Sequence, residues 1–184
     1  DVAAHEMTHG VISHSANLVY RNQSGALNES FADVFGVLVD DGDWEMGEDI
    51  MAPAAKAEGV TVLRSLSNPN SVIVSNEQRR AYSTNGGVYP DHMDEFYHMP
   101  TSVDGGGVHV NSSITNHAAY LIGQELGREK LGKIYYRALT VYLTPNSDFS
   151  DARQAIVQSA IDIYGAGSAE EEVVISGFDA VGIY

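Results

Sequence analysis

A mainly α-helical domain interrupted by one long irregular stretch is what this 184-residue sequence predicts. Apolar residues recur at helical spacing in residues 2–40 and again from 112 onwards, whereas residues 41–108 are rich in Gly, Pro, Asn, Ser and Asp and show poor periodicity. The run His5-Glu6-Met7-Thr8-His9 adds a third observation. It sets two imidazoles at i and i+4, which share a face only if the segment is a helix.

Taken in order, residues 2–14 form a first helix that ends near the polar cluster Ser13–Asn17. Residues 24–40 form a second, apolar at Ala26, Leu27, Phe31, Val34, Phe35 and Leu38. Residues 41–108 are expected to be loops and short turns held by ions. Helices return after His109, one over about 112–126 and one over about 128–143, with Leu131, Ile134, Tyr135, Ala138 and Tyr142 on one stripe. A further helix over 149–164 places Phe149, Ala152, Ile156, Ala160 and Ile163 at helical spacing. Ser168-Ala169-Glu170-Glu171 fits a capping box that opens a last helix, about 168–180. These stripes are read as core, without chemistry of their own.

Composition narrows the function classes. The length suits one domain with a real core. The chain is 43% hydrophobic and has no apolar run long enough to span a membrane. A formal charge of −15 argues against nucleic-acid or anionic-membrane partners. There is no Cys, so no disulfide is available to indicate a compartment. The chain opens at Asp1, already at the first helix and without an initiator Met or signal peptide, so a fragment or processed piece is expected.

The chemistry gathers at the first two helices. Nineteen residues separate His9 from Glu29, which stands in Asn28-Glu29-Ser30-Phe31-Ala32-Asp33. Two neutral imidazoles and one carboxylate leave a fourth position open on a tetrahedral zinc, as hydrolytic zinc requires and structural zinc does not. Asp33, one turn beyond Glu29 on the same face, is spaced to accept the other ring N–H of a ligating His. Asp40, Asp41, Asp43, Glu45 and Glu48, with Asp1, form a dense acidic group. Oxygen donors at that density suit calcium, although on composition alone a solvated acidic loop is the favoured reading.

These motifs, in this order, resemble the C-terminal domain of the thermolysin family of secreted neutral metalloproteases. The likeness runs over nearly the whole chain, to the closing Phe178-Asp179-Ala180-Val181-Gly182. It implies His5, His9 and Glu29 as zinc ligands and Glu6 as the general base acting on the zinc-bound water. Glu6 suits that role because it adjoins a ligand yet cannot easily reach the same ion from a regular helix. Asp104-Gly105-Gly106-Gly107-Val108-His109 matches the family segment in which a His stabilises the developing oxyanion and an Asp orients it, although the family often has Asn at Gly105. Tyr20 matches a second oxyanion donor, and Arg64 an Arg that grips a substrate carbonyl. Val2, Met46 and Leu63 match the pocket for a large apolar residue after the cleaved bond.

The resemblance also implies calcium at Asp1, Asp40, Asp43, Glu45 and Glu48. One ion is expected and at most two, because the loop between Asp40 and Asp43 is several residues shorter than the family's double site. The implied protein is a secreted endopeptidase acting on peptide or protein substrates. Residues 1–184 would be its single helical zinc domain, and its partner would be a β-rich N-terminal domain absent from this chain. Two other readings stay open on the residues alone: a metal-binding helical domain without useful catalysis, and a zinc aminopeptidase, for which no motif binding a free amine is found.

Overall fold

The protein is described by a computed structural model covering residues 1–40 and 42–184. Helix α1 (Val2–Ser13) begins where the Asp1 side chain accepts the N–H of Val2, and it buries His5, Thr8 and Ile12. Their spacing of three and four residues turns one face toward helix α2 (Asn22–Val39). That helix is buried along most of its length because it lies between α1 and helix α5 (Asp104–Leu126).

Helix α5 meets α2 through small polar residues: Ser112, Ser113, Thr115 and Asn116 are all buried. Their hydroxyls bond within the chain, Ser112 to His109 O and Thr115 to Ser112 O, so burial leaves few donors without partners. Helices α6 (Arg128–Arg137), α7 (Phe149–Tyr164) and α8 (Ala169–Ala180) close the other side of the core. Leu27, Phe31, Ile114, Ile122, Leu131, Tyr135, Phe149, Ile156 and Phe178 fill it. Gly177 lets α8 approach α5 closely, since a Cβ there would fall 2.5 Å from Ile122 Cγ1.

Several predicted boundaries move. The regular right-handed part of the first helix after the irregular stretch starts at about Val108, not 112, and Asp104, Gly105, Gly106 and Gly107 (φ +53°, +60°, +93° and +87°) make a left-handed turn that leads into it. Three glycines interrupt an apolar pattern, so periodicity places the start too late. The helix predicted to 143 is α-helical to Arg137 and continues as a π-helical turn over Ala138–Tyr142. Ile163, read as core, is exposed. The predicted capping box at Ser168 is half formed: Ser168 accepts from Glu171 N, but the Glu171 carboxylate turns to Gly167 N. The reciprocal box lies at α7, between Asp148 and Asp151.

The irregular stretch carries more order than its composition suggests. A two-stranded antiparallel ribbon pairs β1 (Glu45–Met46) with β2 (Arg64–Ser65), setting Met46 opposite Arg64. Two short helices, α3 (Pro53–Ala57) and α4 (Glu77–Arg80), follow β1 and β2 respectively. Val74, Tyr89, Tyr97, Met99 and Val103 form an apolar cluster of their own against Val110 of α5. Next to it, Asn111 bonds both ways to the Tyr97 backbone, accepting from its N (2.9 Å) and donating to its O (3.0 Å). Packing and backbone bonding therefore contribute to holding this region. Replacing Asn111 with Ala should lower stability by about 1–3 kcal/mol for each Tyr97 group left unbonded, read as a lower urea midpoint. An unchanged midpoint in metal-free buffer would mean these bonds do not secure the segment.

Candidate active site

Helices α1 and α2 bring His5, His9 and Glu29 to one point. His5 Nε2 lies 3.1 Å from His9 Nε2 and 3.7 Å from Glu29 Oε2, and His9 Nε2 lies 3.5 Å from Glu29 Oε1. The outer nitrogens are already committed. His5 Nδ1 donates to Asp33 Oδ1 at 2.8 Å, and His9 Nδ1 donates to Asn28 Oδ1 at 2.7 Å. Asn28 in turn donates its Nδ2 to Leu18 O at 3.0 Å, which turns its oxygen toward His9. With both Nδ1 protons fixed outward, both Nε2 atoms present lone pairs to the same small space as the Glu29 carboxylate. Three acceptors converging in this way fit a divalent cation of the zinc type and leave a position open for a further ligand.

Asp33 sustains that geometry. It has no exposed surface, and besides His5 it takes Arg64 Nε at 2.7 Å, Arg64 Nη2 at 2.7 Å and Asn116 Nδ2 at 2.8 Å. Burial acts to raise its pKa, but the Arg64 charge and the bonds from His5 and Arg64 outweigh it, holding Asp33 well below the usual carboxylate range.

On the other side of the ligands, Tyr20 donates its hydroxyl to Glu29 Oε1 and stands 3.1 Å from His109 Nε2. Burial, and then its bond to Glu29, push the Tyr20 phenol well above its usual pKa, so it stays a hydroxyl donor. The Asp104 carboxylate receives His109 Nδ1 at 2.6 Å and His109 N at 3.1 Å. Gly105 occupies a left-handed backbone position that Asn also tolerates, so its departure from the family pattern keeps the turn.

These groups line one open cleft of about 650 Å³. His5, Glu6, His9, Tyr20, Glu29, Arg64 and His109 contribute its polar wall, with Val2, Met46 and Leu63 among its apolar residues. Glu6 projects to solvent beside the ligands. Asp33 and Asp104 stand behind this wall.

The acidic group is only partly assembled. Asp40 and Glu48 lie together with Asp49, which was not in the predicted set. The Asp1 carboxylate accepts the N–H of Val2 and of Gly47, and the backbone nitrogen of Asp1 stands 3.2 Å from Asp40 Oδ2. Glu45 instead accepts from Ser65 and Ser67 (2.8 and 2.7 Å), and Asp43 accepts from Glu45 N (2.8 Å). Those two are therefore not brought to the cluster, and Asp41 lies outside the described residues. Sequence reading also missed Asn28, Asn116 and Arg79, whose Nη2 reaches Asp104 Oδ1 at 2.8 Å. Adjacency to Glu29 was the only available signal for Asn28, and the other two had none.

Fold and site together define a helical domain with an open cleft built around a candidate metal centre. Residues 16–183 match the thermolysin metallopeptidase α-helical domain family. Over 183 residues the chain is 49% identical to an extracellular elastase of Staphylococcus epidermidis, covering all of this chain and 32% of the relative. It is 46% identical to a bacillolysin of Brevibacillus brevis over 193 aligned positions, covering all of this chain and 33% of the relative. Identity to a thermolysin of Alicyclobacillus acidocaldarius is 44% over 199 positions, with the same coverage of 100% and 33%. Among solved structures, the precursor of protealysin, a metalloproteinase from Serratia proteamaculans, is similar with a TM-score of 0.80 and 32% identity. That match covers 100% of this chain and 57% of the other. The chain belongs to the thermolysin metallopeptidase family, and it spans about a third of the length of the curated relatives it matches.

Asp33→Ala would leave Arg64 without its buried partner and His5 without its acceptor. It should destabilise the metal-free protein by about 3–5 kcal/mol and weaken metal binding by about 10–100-fold. Chemical denaturation in a chelator and competition with a metal-binding dye measure the two effects. Wild-type values in both would remove Asp33 from the support of the centre.

Proposed function

We propose that the full-length protein is a zinc-dependent endopeptidase that hydrolyses peptide bonds on the N-terminal side of large hydrophobic residues. The observation that carries this is the convergence of three acceptor atoms from His5, His9 and Glu29, beside a free carboxylate at Glu6, in a cleft open to solvent. Zinc bound there would supply a Lewis acid and a water of lowered pKa.

The protein's own groups do the rest. Glu6 takes a proton from the attacking water and returns it to the leaving amine nitrogen. His109 and Tyr20, side by side at 3.1 Å, donate to the carbonyl oxygen as negative charge develops on it. Arg64 lines the cleft while anchored to Asp33, so its guanidinium is held in place to meet a backbone carbonyl of the substrate. Val2, Met46 and Leu63 receive the apolar side chain that follows the cleaved bond. Secretion is supported by the extracellular naming of relatives, and among the described residues no helix is long and apolar enough to cross a membrane.

A second reading rests on length. The relatives are about three times longer, so residues 1–184 alone would bind metal while lacking the surface that aligns substrate. A β-rich domain preceding this chain would supply that surface. Both readings are tested with an internal peptide blocked at both ends. The full-length protein should cleave it, and Glu6→Gln should retain zinc while losing hydrolysis, by the 10²–10⁴-fold or so that a general base contributes. Turnover near wild type in Glu6→Gln would assign the proton transfer elsewhere.

Calcium is proposed at Asp40 and Glu48 with Asp49, next to Asp1. Like charges drawn together there repel until a cation intervenes. Millimolar calcium should raise the melting temperature over that in EGTA at fixed zinc, in a concentration-dependent way. Superimposable melts would leave the cluster a solvated acidic patch.

A further inference from the structure

Arg79 is placed where no sequence motif or family assignment anticipated a functional group. It sits on α4, within the irregular stretch, and Asn76 caps that short helix by accepting from Arg79 N at 3.1 Å. Its Nη2 lies 2.8 Å from Asp104 Oδ1, the same oxygen that receives His109 Nδ1 at 2.6 Å. The Asp104 side chain is only 1% exposed, whereas Arg79 and His109 retain 27% and 33%. A nearly dry carboxylate is therefore clasped between a cation from one segment and an imidazole from another.

We propose that Arg79 is a positioning residue for the oxyanion-stabilising histidine, acting through Asp104; this rests on the peptidase reading above. The argument is one of donors and acceptors. A guanidinium is permanently charged and carries only donors. An oxygen that takes its N–H is thereby kept as an acceptor. Asp104 Oδ1 then faces His109 as an acceptor too, so Nδ1 is held as an N–H donor and the ring plane is fixed. Nε2 is left pointing at the Tyr20 hydroxyl and the Glu29 carboxylate, 3.1 and 3.7 Å away, where a substrate carbonyl would bind. Asp104 itself stands in a left-handed backbone conformation (φ +53°), unfavourable for a residue with a Cβ, and Arg79 helps hold it there.

Arg79 touches neither the zinc-ligand group nor the cleft lining. Its removal should change how His109 is presented and leave metal and substrate binding as they were. The test uses the full-length protein with the end-blocked peptide, in Arg79→Ala, Arg79→Lys, Asp104→Asn and the Arg79→Ala/Asp104→Asn double variant. The expected result is a kcat about 10–100-fold lower in Arg79→Ala, as for loss of an outer partner of an active-site group, with KM and zinc content unchanged. Arg79→Lys should recover part of that loss, and in the Asp104→Asn background the loss should disappear. Nitrogen-15 shifts of His109 should report a fully protonated Nδ1 in the wild type and a partly unprotonated Nδ1 in Arg79→Ala. This second readout needs no turnover, so a wild type that fails to cleave peptide overturns the peptidase reading while the His109 spectrum still decides the role of Arg79. Unchanged kcat and an unchanged Nδ1 signal in Arg79→Ala overturn the proposal. So does a loss that Lys does not relieve and that adds fully to Asp104→Asn, because that pattern belongs to general destabilisation.

Discussion

Asp33 has no exposed surface, and its two oxygens take four bonds from three separate elements: His5 on α1, Arg64 on β2 and Asn116 on α5. Its own helix, α2, also carries Glu29. An ionised group without water is costly unless each lone pair is met. The four bonds thus fix where α1, α5 and the β1–β2 ribbon must lie relative to α2, and the orientation of the His5 ring follows. The placement of the three converging acceptor atoms is in this sense tied to satisfying one buried charge.

The pattern repeats around the cleft. His9 leans on Asn28, which leans on the Leu18 carbonyl, and His109 leans on Asp104, which leans on Arg79. Each imidazole has one nitrogen facing the cleft and the other bonded to an oxygen whose own residue is held by a further hydrogen bond or ion pair. Chains of this kind settle tautomer and ring plane before any ligand arrives, which spares the reorganisation that a flexible His would require.

How much of this was legible in sequence depended on the range of the cause. Helix α7 was read to its ends, because apolar residues at Phe149, Ala152 and Ile156 repeat with the helix and glycine stands at 165. His5 and His9 were legible for the same reason, since their spacing is itself the geometry. Glu29 and Asp33 share a helical face and could be paired on that ground. Asn116 could not, being 83 residues from Asp33 and set on a helix whose buried residues mix Ser, Thr and Asn with Val, Ile, Ala and Gly. The start of α5 was missed because positive φ at three glycines is invisible to periodicity. Glu45 and Asp43 were grouped by composition with their acidic neighbours, but local backbone and the two serines of the β2 segment claim them.

The separate apolar cluster under the irregular stretch has a further consequence. Val74, Tyr89, Tyr97 and Met99 pack with one another and with Val103 and Val110 of the α5 end, outside the larger core that α1, α2 and α7 share. Two separate apolar clusters give the chain units that can open locally with different free energies. The histidines on α1 and the carboxylates on α2 belong to the larger unit, and Arg79 belongs to the smaller. The converging His5, His9 and Glu29 acceptors and the Asp104–Arg79 ion pair are therefore supported by separate packing units. Local opening around Val74 and Tyr89 would release Arg79 from Asp104 while the three converging acceptors stay in register.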